Sequence, residues 1–201
     1  MNPSFSLPPQ LSLAGSAANR GRTYGQAARA RIERSITNYQ SMFESVDLRW
    51  DEAVRRAAPF EAAIGRVFPV IIEELNGVAA GSGVDFGSLL ALNCRTELLP
   101  ANYLELVSRA GGQAPADGGQ INECTSFAVA DGDANVLLAQ NWDWLGGQRE
   151  SLVILEQCPD SGPAHLTVAE AGMMAKIGFN EHGLGVTLNI LRSHEDGQQI
   201  G

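Results

Sequence analysis

The sequence has few cysteines and no arrangement of them that would build a metal site or a disulfide framework. Its 201 residues include three cysteines, Cys94, Cys124 and Cys158, an odd number without a C-x-x-C pair. Neither a zinc ribbon nor paired disulfides are expected, so a special cysteine here would be a reactive thiol. The 44% of hydrophobic residues favours a globular protein of one or two domains.

Basic charge is also scarce. Lys and Arg number 14 against 23 Asp and Glu, a net charge of −9, and no basic stripe with interleaved aromatic residues occurs. This composition argues against a nucleic-acid partner. Residues 1–19 contain no Lys or Arg and are interrupted by Pro8 and Pro9, unlike a secretory signal, and no membrane span is predicted. We therefore expect a cytoplasmic protein without nucleic-acid or membrane partners.

Two parts of different character meet just before Cys124. In residues 1–123, apolar residues recur at helical spacing from Ile32 to Phe43 and from Ile64 to Leu75, which predicts amphipathic helices. The expected breaks and starts are Pro69, Asn76-Gly77, Gly81-Ser82-Gly83 and a cap at Asp85 before a helix over Phe86–Leu98.

A Gly-rich stretch, Ser108–Asn122, is predicted to be a flexible, exposed linker, because it has too few apolar residues to offset its ordering entropy. Residues 124–201 then show short apolar runs separated by turn residues, which predicts a largely antiparallel sheet and an α+β fold class. The predicted strands are Thr125–Ala130, Val136–Trp142, Leu152–Gln157, Leu166–Ala169, Ala175–Phe179 and Val186–Leu191.

Two of these strands, with the sequences VLLAQ and LVILE, are apolar on both faces, as in a sheet covered on both sides. After Leu191 only the polar stretch RSHEDGQQIG follows. We therefore expect the second apolar layer to come from residues beyond a truncated chain or from another chain. The alternative is that the N-terminal helices cover one face and a homodimer covers the other.

The most informative residue is Cys124, which lies between the predicted linker and the first strand of the predicted sheet. Taken alone, it is more typical of a buried packing residue. A thiol that follows a cleavable linker is, however, what an N-terminal-nucleophile enzyme needs. Self-cleavage before it frees an α-amine, whose ordinary pKa of about 8 suits a general base.

Several blocks of the sequence resemble one known family. They are ECTSFAV at 123–129, AQNWDW at 139–144 and EAGMMAKIGFNEHGLGVTLNIL at 170–191, preceded by RGRTYGQAARARI at 20–32 and ELNGVAAGSGVDFGSLLALNCRTEL at 74–98. In sequence and order they are similar to the acyl-coenzyme A:6-aminopenicillanic acid acyltransferase (isopenicillin N acyltransferase) family, cysteine members of the N-terminal-nucleophile hydrolases. Because members of the family continue well past this chain's end, the resemblance implies that the C-terminal part is missing.

The resemblance implies an N-terminal-nucleophile αββα sandwich, here partial and preceded by a helical segment. It makes Cys124 the nucleophile and the Glu123–Cys124 bond the autocleavage point, so that residues 1–123 form an α subunit and residues 124–201 the first part of a β subunit. Asp143 matches the carboxylate near the nucleophile and its freed amine. The alternative for Asp143 is a turn residue that caps Leu145–Gly147.

The resemblance also places Asn189 at the border of the oxyanion hole, where a hydrogen-bond donor stabilises the transition state. Independently, a polar residue in the apolar run GVTLNIL needs a hydrogen-bond partner, which a neighbouring loop could equally provide. The three histidines, His165, His182 and His194, lie beside turn residues with no metal-ligand spacing. A papain-like Cys/His pair is therefore not expected.

The sequence thus predicts an autoprocessing cysteine amidohydrolase or acyltransferase that forms a thioester on Cys124 and passes the acyl group to water or an amine. Its partners would be a small amide or acyl substrate, with a coenzyme A thioester as a possible co-substrate and no other cofactor or metal. A hydrolase of N-acyl amides, like penicillin V acylases, bile-salt hydrolases or acid ceramidase, is an alternative. Bile-salt hydrolases, however, carry an arginine where this chain has Gln140. The third alternative is a catalytically silent fragment.

Overall fold

A computed structural model describes residues 6–100, 124–132, 135–144 and 146–189, so the predicted linker and Glu123 lie outside the described residues. The fold is α+β, as predicted, and no described helix is both long and apolar enough to cross a membrane. The helices are α1 (Ala17–Glu44), α2 (Trp50–Val67), α3 (Pro69–Ser82), α4 (Phe86–Asn93) and α5 (Arg95–Leu98). The strands are β1 (Gln10–Gly15), β2 (Thr125–Ala130), β3 (Val136–Asn141), β4 (Leu152–Pro159), β5 (His165–Glu170), β6 (Ile177–Asn180) and β7 (Gly185–Val186), with a 3₁₀ helix over Gly146–Ser151.

Most helix boundaries follow the predicted signals. Pro69 is the first residue of α3, where its missing N–H costs no helical hydrogen bond. Asp85 caps α4 by accepting a hydrogen bond from a first-turn amide at 2.8 Å. Gly83 ends α3 with a φ of +75°, which a glycine adopts without steric cost. The helix predicted over Phe86–Leu98 is divided at Cys94 into α4 and α5.

The helix exit predicted at Asn76-Gly77 is wrong, because α3 continues through it. Its glycines serve close packing instead. Gly77 and Gly81 of α3 lie against Gly21 and Gly25 of α1, and a Cβ at Gly77 would come within 2.5 Å of a carbonyl oxygen of α1. Four glycines therefore let the two helices approach each other backbone to backbone.

Five strands form one sheet in the order β1-β4-β5-β6-β7, and β2 pairs with β3 in a separate hairpin. All pairs are antiparallel, as predicted, except β1 with β4. Strand β1 was not predicted, although Leu11 and Leu13 alternate with more exposed residues, because its parallel partner β4 lies far away in the chain. It nevertheless joins the N-terminal region to the sheet.

The last predicted strand, Val186–Leu191, is wrong in its extent. Strand β7 ends at Val186, residues 187–189 are irregular, and residues 190–191 lie outside the described part. The physical reason is that the Gln140 side chain takes up the backbone amide and carbonyl of Leu188, which a longer strand would use for pairing. Gln140 donates to the carbonyl oxygen of Leu188 at 2.5 Å and accepts from its amide at 3.0 Å.

The core lies between the helices and one face of the β4–β5 region. Alternate residues of β4 are buried, so one face of this strand packs inward while the other remains partly accessible. Fully buried side chains from both layers meet in one cluster, which includes Tyr24, Ile32, Tyr39, Leu89, Val153, Leu155 and Ala169. The helical segment therefore supplies one cover of the sheet.

The hairpin and the far strands of the sheet expose apolar side chains. Val136 is 69% exposed, Leu137 61% and Phe179 60%. Together with Ala128, Leu166 and their neighbours, these side chains line a groove of about 700 Å³ between the hairpin and strands β5–β7. We call this surface the apolar groove.

Candidate functional site

Cys124 lies directly before the first residue of the β2–β3 hairpin. Thr125 pairs with Asn141, so Cys124 and Trp142 adjoin the same end of this strand pair. The φ of Cys124 is +25°, a conformation that is uncommon for a residue with a side chain and that concentrates at functional sites. Its thiol is free and partly accessible, so the position predicted for a nucleophile is neither buried nor cross-linked.

Asn189 contacts Cys124 directly. Its side-chain Nδ2 donates to the carbonyl oxygen of Cys124 at 3.0 Å, and its Oδ1 accepts from Nε2 of Gln140 at 3.2 Å. The expected hydrogen-bond partner of Asn189 is thus found, and it is the residue predicted to be the nucleophile. The oxyanion-hole role of Asn189 stays a prediction.

Asp143 follows Trp142 at the end of β3, on the same side of the hairpin as Cys124. Its carboxylate is exposed and has no hydrogen bond or ion pair within the described part of the chain. The amine that it is predicted to hold exists only after the bond before Cys124 is cleaved. No hydrogen bond or ion pair between described residues joins Asp143 to Cys124, and its role stays a prediction.

Lys176, the one lysine of the chain, enters the site from the segment between β5 and β6. Its side chain is only 6% exposed. Its Nζ lies 2.9 Å from Oε2 of Glu170, 3.7 Å from the ring centroid of Trp142 and 5.5 Å from that of Trp144. The ammonium is therefore held by a carboxylate on one side and by aromatic faces on the other.

Glu170 connects Lys176 to the helical layer. Its Oε1 accepts a hydrogen bond from the hydroxyl of Tyr39 at 2.8 Å. That hydroxyl accepts from Nε of Arg95 at 2.9 Å and from the indole Nε1 of Trp144 at 3.2 Å. A guanidinium nitrogen of Arg95 also lies 3.7 Å from Oε2 of Glu170. We call these five residues the Lys176–Glu170 cluster.

Burial changes the proton affinity of this cluster. It lowers the pKa of Lys176 to about 8, and the nearby Arg95 adds to the shift, although the neighbouring Glu170 opposes it and Cys124 weakly opposes it too. Burial also raises the pKa of Tyr39 well above its usual range. Tyr39 therefore stays protonated and donates to Glu170, while Lys176 changes charge within about one pH unit of 8.

The other cysteines and the described histidines differ clearly from Cys124. Cys94 is buried, and burial raises its pKa to about 12, so its thiol is unreactive. Cys158 is exposed at the end of β4. His165 contacts a backbone carbonyl oxygen at 3.1 Å, His182 lies in an exposed turn, and no metal-binding cluster occurs among the described residues.

Residues 129–200 match the family model described as acyl-coenzyme A:6-aminopenicillanic acid acyl-transferase. The match begins within β2, shortly after Cys124. The predicted family resemblance is confirmed. The chain is also 26% identical, over 181 residues, to the acyl-coenzyme A:6-aminopenicillanic-acid-acyltransferase 40 kDa form of Emericella nidulans. The alignment covers 90% of this chain and 46% of that relative, so the chain spans about half the length of the curated relative it matches.

Sequence reasoning predicted roles for Cys124, Asp143 and Asn189, which stay predictions, and did not include the side chains of the Lys176–Glu170 cluster. Lys176 was detectable as a lone charge within the apolar run MMAKIGF. Glu170 was detectable as an acidic residue at the end of an apolar strand. Tyr39 and Arg95 gave no comparable signal, because they come from distant helices and only the tertiary fold joins them to the site.

Proposed function

We propose that this chain carries the nucleophile-bearing part of a self-processing cysteine acyltransferase or amidohydrolase. The observation that carries the proposal is the accessible thiol of Cys124, which immediately precedes the hairpin and the segment that matches the family model. The helical layer, the five-stranded sheet and the separate hairpin are compatible with part of an N-terminal-nucleophile αββα sandwich.

Processing would begin with attack of the Cys124 thiol on the carbonyl carbon of Glu123. The peptide C–N bond breaks, the nitrogen becomes the α-amine of Cys124, and Glu123 is held as a thioester. Water then hydrolyses the thioester, which releases the carboxylate of Glu123 and restores the thiol. The freed amine can act as general base for the thiol in later turnovers.

Acyl transfer would use the same thiol. A donor, an amide or an acyl thioester, acylates Cys124 and releases its amine or thiol leaving group. Water or an amine then attacks the thioester. The products are the free acid or the new amide, and the thiol of Cys124 is restored. The relative's name supports acyl-coenzyme A as donor and 6-aminopenicillanic acid as acceptor for that protein. For this chain we propose the reaction class, with small acyl or amide substrates.

Asp143 and Asn189 have complementary roles in this proposal. The Asp143 carboxylate would bind the ammonium of Cys124 once cleavage creates it. The Asn189 amide, which already donates to the Cys124 carbonyl at 3.0 Å and is fixed by Gln140, would supply a donor beside the developing oxyanion.

Intact-mass measurement of the full-length protein tests the proposal. We expect two fragments separated before Cys124, with cysteine as the first residue of the second fragment. Cys124→Ala should remain a single chain, whereas Cys158→Ala, a matched change of an exposed cysteine, should be cleaved normally. An active wild-type protein with an intact Glu123–Cys124 bond would overturn autoprocessing, and an uncleaved, inactive protein would favour the silent alternative.

Asp143→Asn separates a catalytic Asp143 from a turn-stabilising one. We expect processing or turnover to fall far more than the yield or unfolding temperature of the protein. Equal losses of activity and folded protein would instead support the turn-capping alternative.

A further inference from the structure

Burial of the Lys176 ammonium carries a free-energy cost. Transfer of an ammonium group from water into a protein interior is unfavourable unless partners compensate it. Apart from three histidines, every other basic side chain of the protein is an arginine, and the one lysine is nearly fully buried within electrostatic reach of the candidate nucleophile. A buried, titratable group in such a place is a candidate for a functional role.

The charges around Lys176 do not balance within the cluster. Lys176 and Arg95 are two cations that face one carboxylate, Glu170. Tyr39 is neutral, and Glu97 acts on Arg95 from the solvent side of α5. Cys124 also favours the charged form of Lys176, by a weaker electrostatic interaction. The cluster therefore carries a surplus positive charge within electrostatic reach of Cys124.

The two aromatic partners of Lys176 flank Asp143 in the sequence. Trp142 adjoins the same end of the hairpin as Cys124 and has its ring under the ammonium, while the Trp144 indole donates to Tyr39. One ammonium thus links the end of β3 to β5 and, through Glu170, to α1. Trp144 also packs against the hydrophobic core, so the ammonium adds to contacts that already hold this end of the segment.

We propose that Lys176 is a positioning residue whose ammonium fixes the Trp142–Asp143–Trp144 segment beside Cys124. The role in processing and turnover rests on the function proposed above, but the positioning itself does not. When Lys176 loses its proton, its attraction to the indole faces and to Glu170 disappears. The segment that carries Asp143 is then held less firmly, at Trp142 above all, since the Trp144–Tyr39 hydrogen bond remains, and the cluster loses its surplus positive charge.

The positioning can be measured without any activity. Because the chain has one lysine, ¹³C-lysine labelling gives a single side-chain NMR resonance. We expect it to titrate near pH 8, and tryptophan emission to change with the same midpoint. Lys176→Met, which keeps the length of the side chain but not its charge, should abolish the change in emission. A Lys176 pKa near the ordinary lysine value of about 10.4, or tryptophan emission that does not change as Lys176 titrates, would overturn the proposal.

The functional part is tested by processing rates across pH. In wild type the rate should fall on the alkaline side with the midpoint of the lysine resonance. Lys176→Met should slow processing by about 10- to 100-fold, as expected when reacting groups are misplaced, with little pH dependence near 8. Lys176→Arg should restore most of the rate without the alkaline fall. Arg29→Met, which removes an exposed cation from α1, should process like wild type.

These experiments separate the two proposals. If Cys124→Ala is still processed, the proposed function fails, whereas the NMR and emission titrations still decide whether Lys176 positions the tryptophans. If wild type cleaves before Cys124 and Lys176→Met cleaves at the same rate and with the same pH profile, Lys176 has no positioning role in catalysis. If Lys176→Met does not fold, the wild-type titrations and Lys176→Arg carry the test.

Discussion

The two strand pairs β4–β5 and β2–β3 have similar apolar sequences but very different surroundings. In β4, Val153 and Leu155 are fully buried against the helices, whereas in β3 Val136 and Leu137 are more than half exposed. Apolar residues on a strand therefore indicate that the strand must pack against another layer. Within the described residues, only the pair β4–β5 packs against such a layer. Stability should be concentrated where the cover is present.

The largest expected effect comes from equal truncations in these two strands. Leu155→Ala should destabilise the fold by about 2–5 kcal/mol, because it leaves a cavity in the core. Leu137→Ala, the same change at an exposed site, should shift the free energy of unfolding by no more than about 0.5 kcal/mol. Denaturant titration of both variants checks the contrast, and similar losses would show that β3 is covered in solution.

A smaller effect tests the close contact of α1 and α3. Gly77→Ala places a methyl group against a backbone carbonyl and should cost about 1–3 kcal/mol. Gly65→Ala in α2 is the matched control, since its new Cβ would have nothing nearer than a side-chain atom at 3.8 Å. Because alanine favours helix more than glycine does, the control should stabilise by about 0.5–1 kcal/mol. Thermal unfolding that moves both variants in the same direction would contradict this packing.

This helix pair also shows where sequence reasoning stops. The pattern of apolar residues predicted the helices, the hairpin and the boundaries at Pro69 and Asp85, because these signals are local. Gly77 was read as a helix exit, since a glycine's local preference says nothing about a neighbouring helix. Strand β1 was missed because its parallel partner lies far away in the chain.

The candidate site likewise contains residues that the sequence indicates and residues that only the tertiary structure brings together. Cys124 could be proposed from its local setting and the family resemblance, and Asp143 and Asn189 from the resemblance. The Lys176–Glu170 cluster could not be assembled, because its members come from α1, α5, β5 and two loops. Charge balance in a buried cluster is a property of the tertiary structure alone.

Two buried groups should give stability opposite dependences on pH. The folded-state pKa of Lys176 is lowered from 10.5 to about 8, so the unfolded chain binds more protons between these values and stability rises with pH. Cys94 has a pKa raised from 9.0 to about 12, so stability falls with pH across that range. From pH 7 to 9 the lysine should contribute a rise of about 1 kcal/mol.

Urea titrations at pH 7 and 9 measure this rise, which should be absent in Lys176→Met. Cys94→Ala should keep the rise and, in titrations extended above pH 9, lack the decline that begins above the unfolded-state pKa of the thiol. If the free energy of unfolding of Lys176→Met depends on pH as in wild type, burial does not lower the pKa of Lys176 in the folded protein.

The smallest change in folding free energy should accompany the largest change in association. The apolar groove exposes Val136, Leu137 and Phe179, and contiguous apolar surface of this kind recruits other chains. At about 25 cal/mol per Å², a few hundred Å² of such surface represents several kcal/mol of burial that remains to be gained. We therefore expect the 201-residue chain to associate at tens of micromolar.

Leu137→Lys should reduce light scattering while the free energy of unfolding changes by only about 0.5 kcal/mol. The matched Arg29→Lys change on α1 should leave scattering as in wild type, because it lies outside the groove. A compact wild-type monomer without dye-detectable apolar surface would show that the groove is covered by the chain itself.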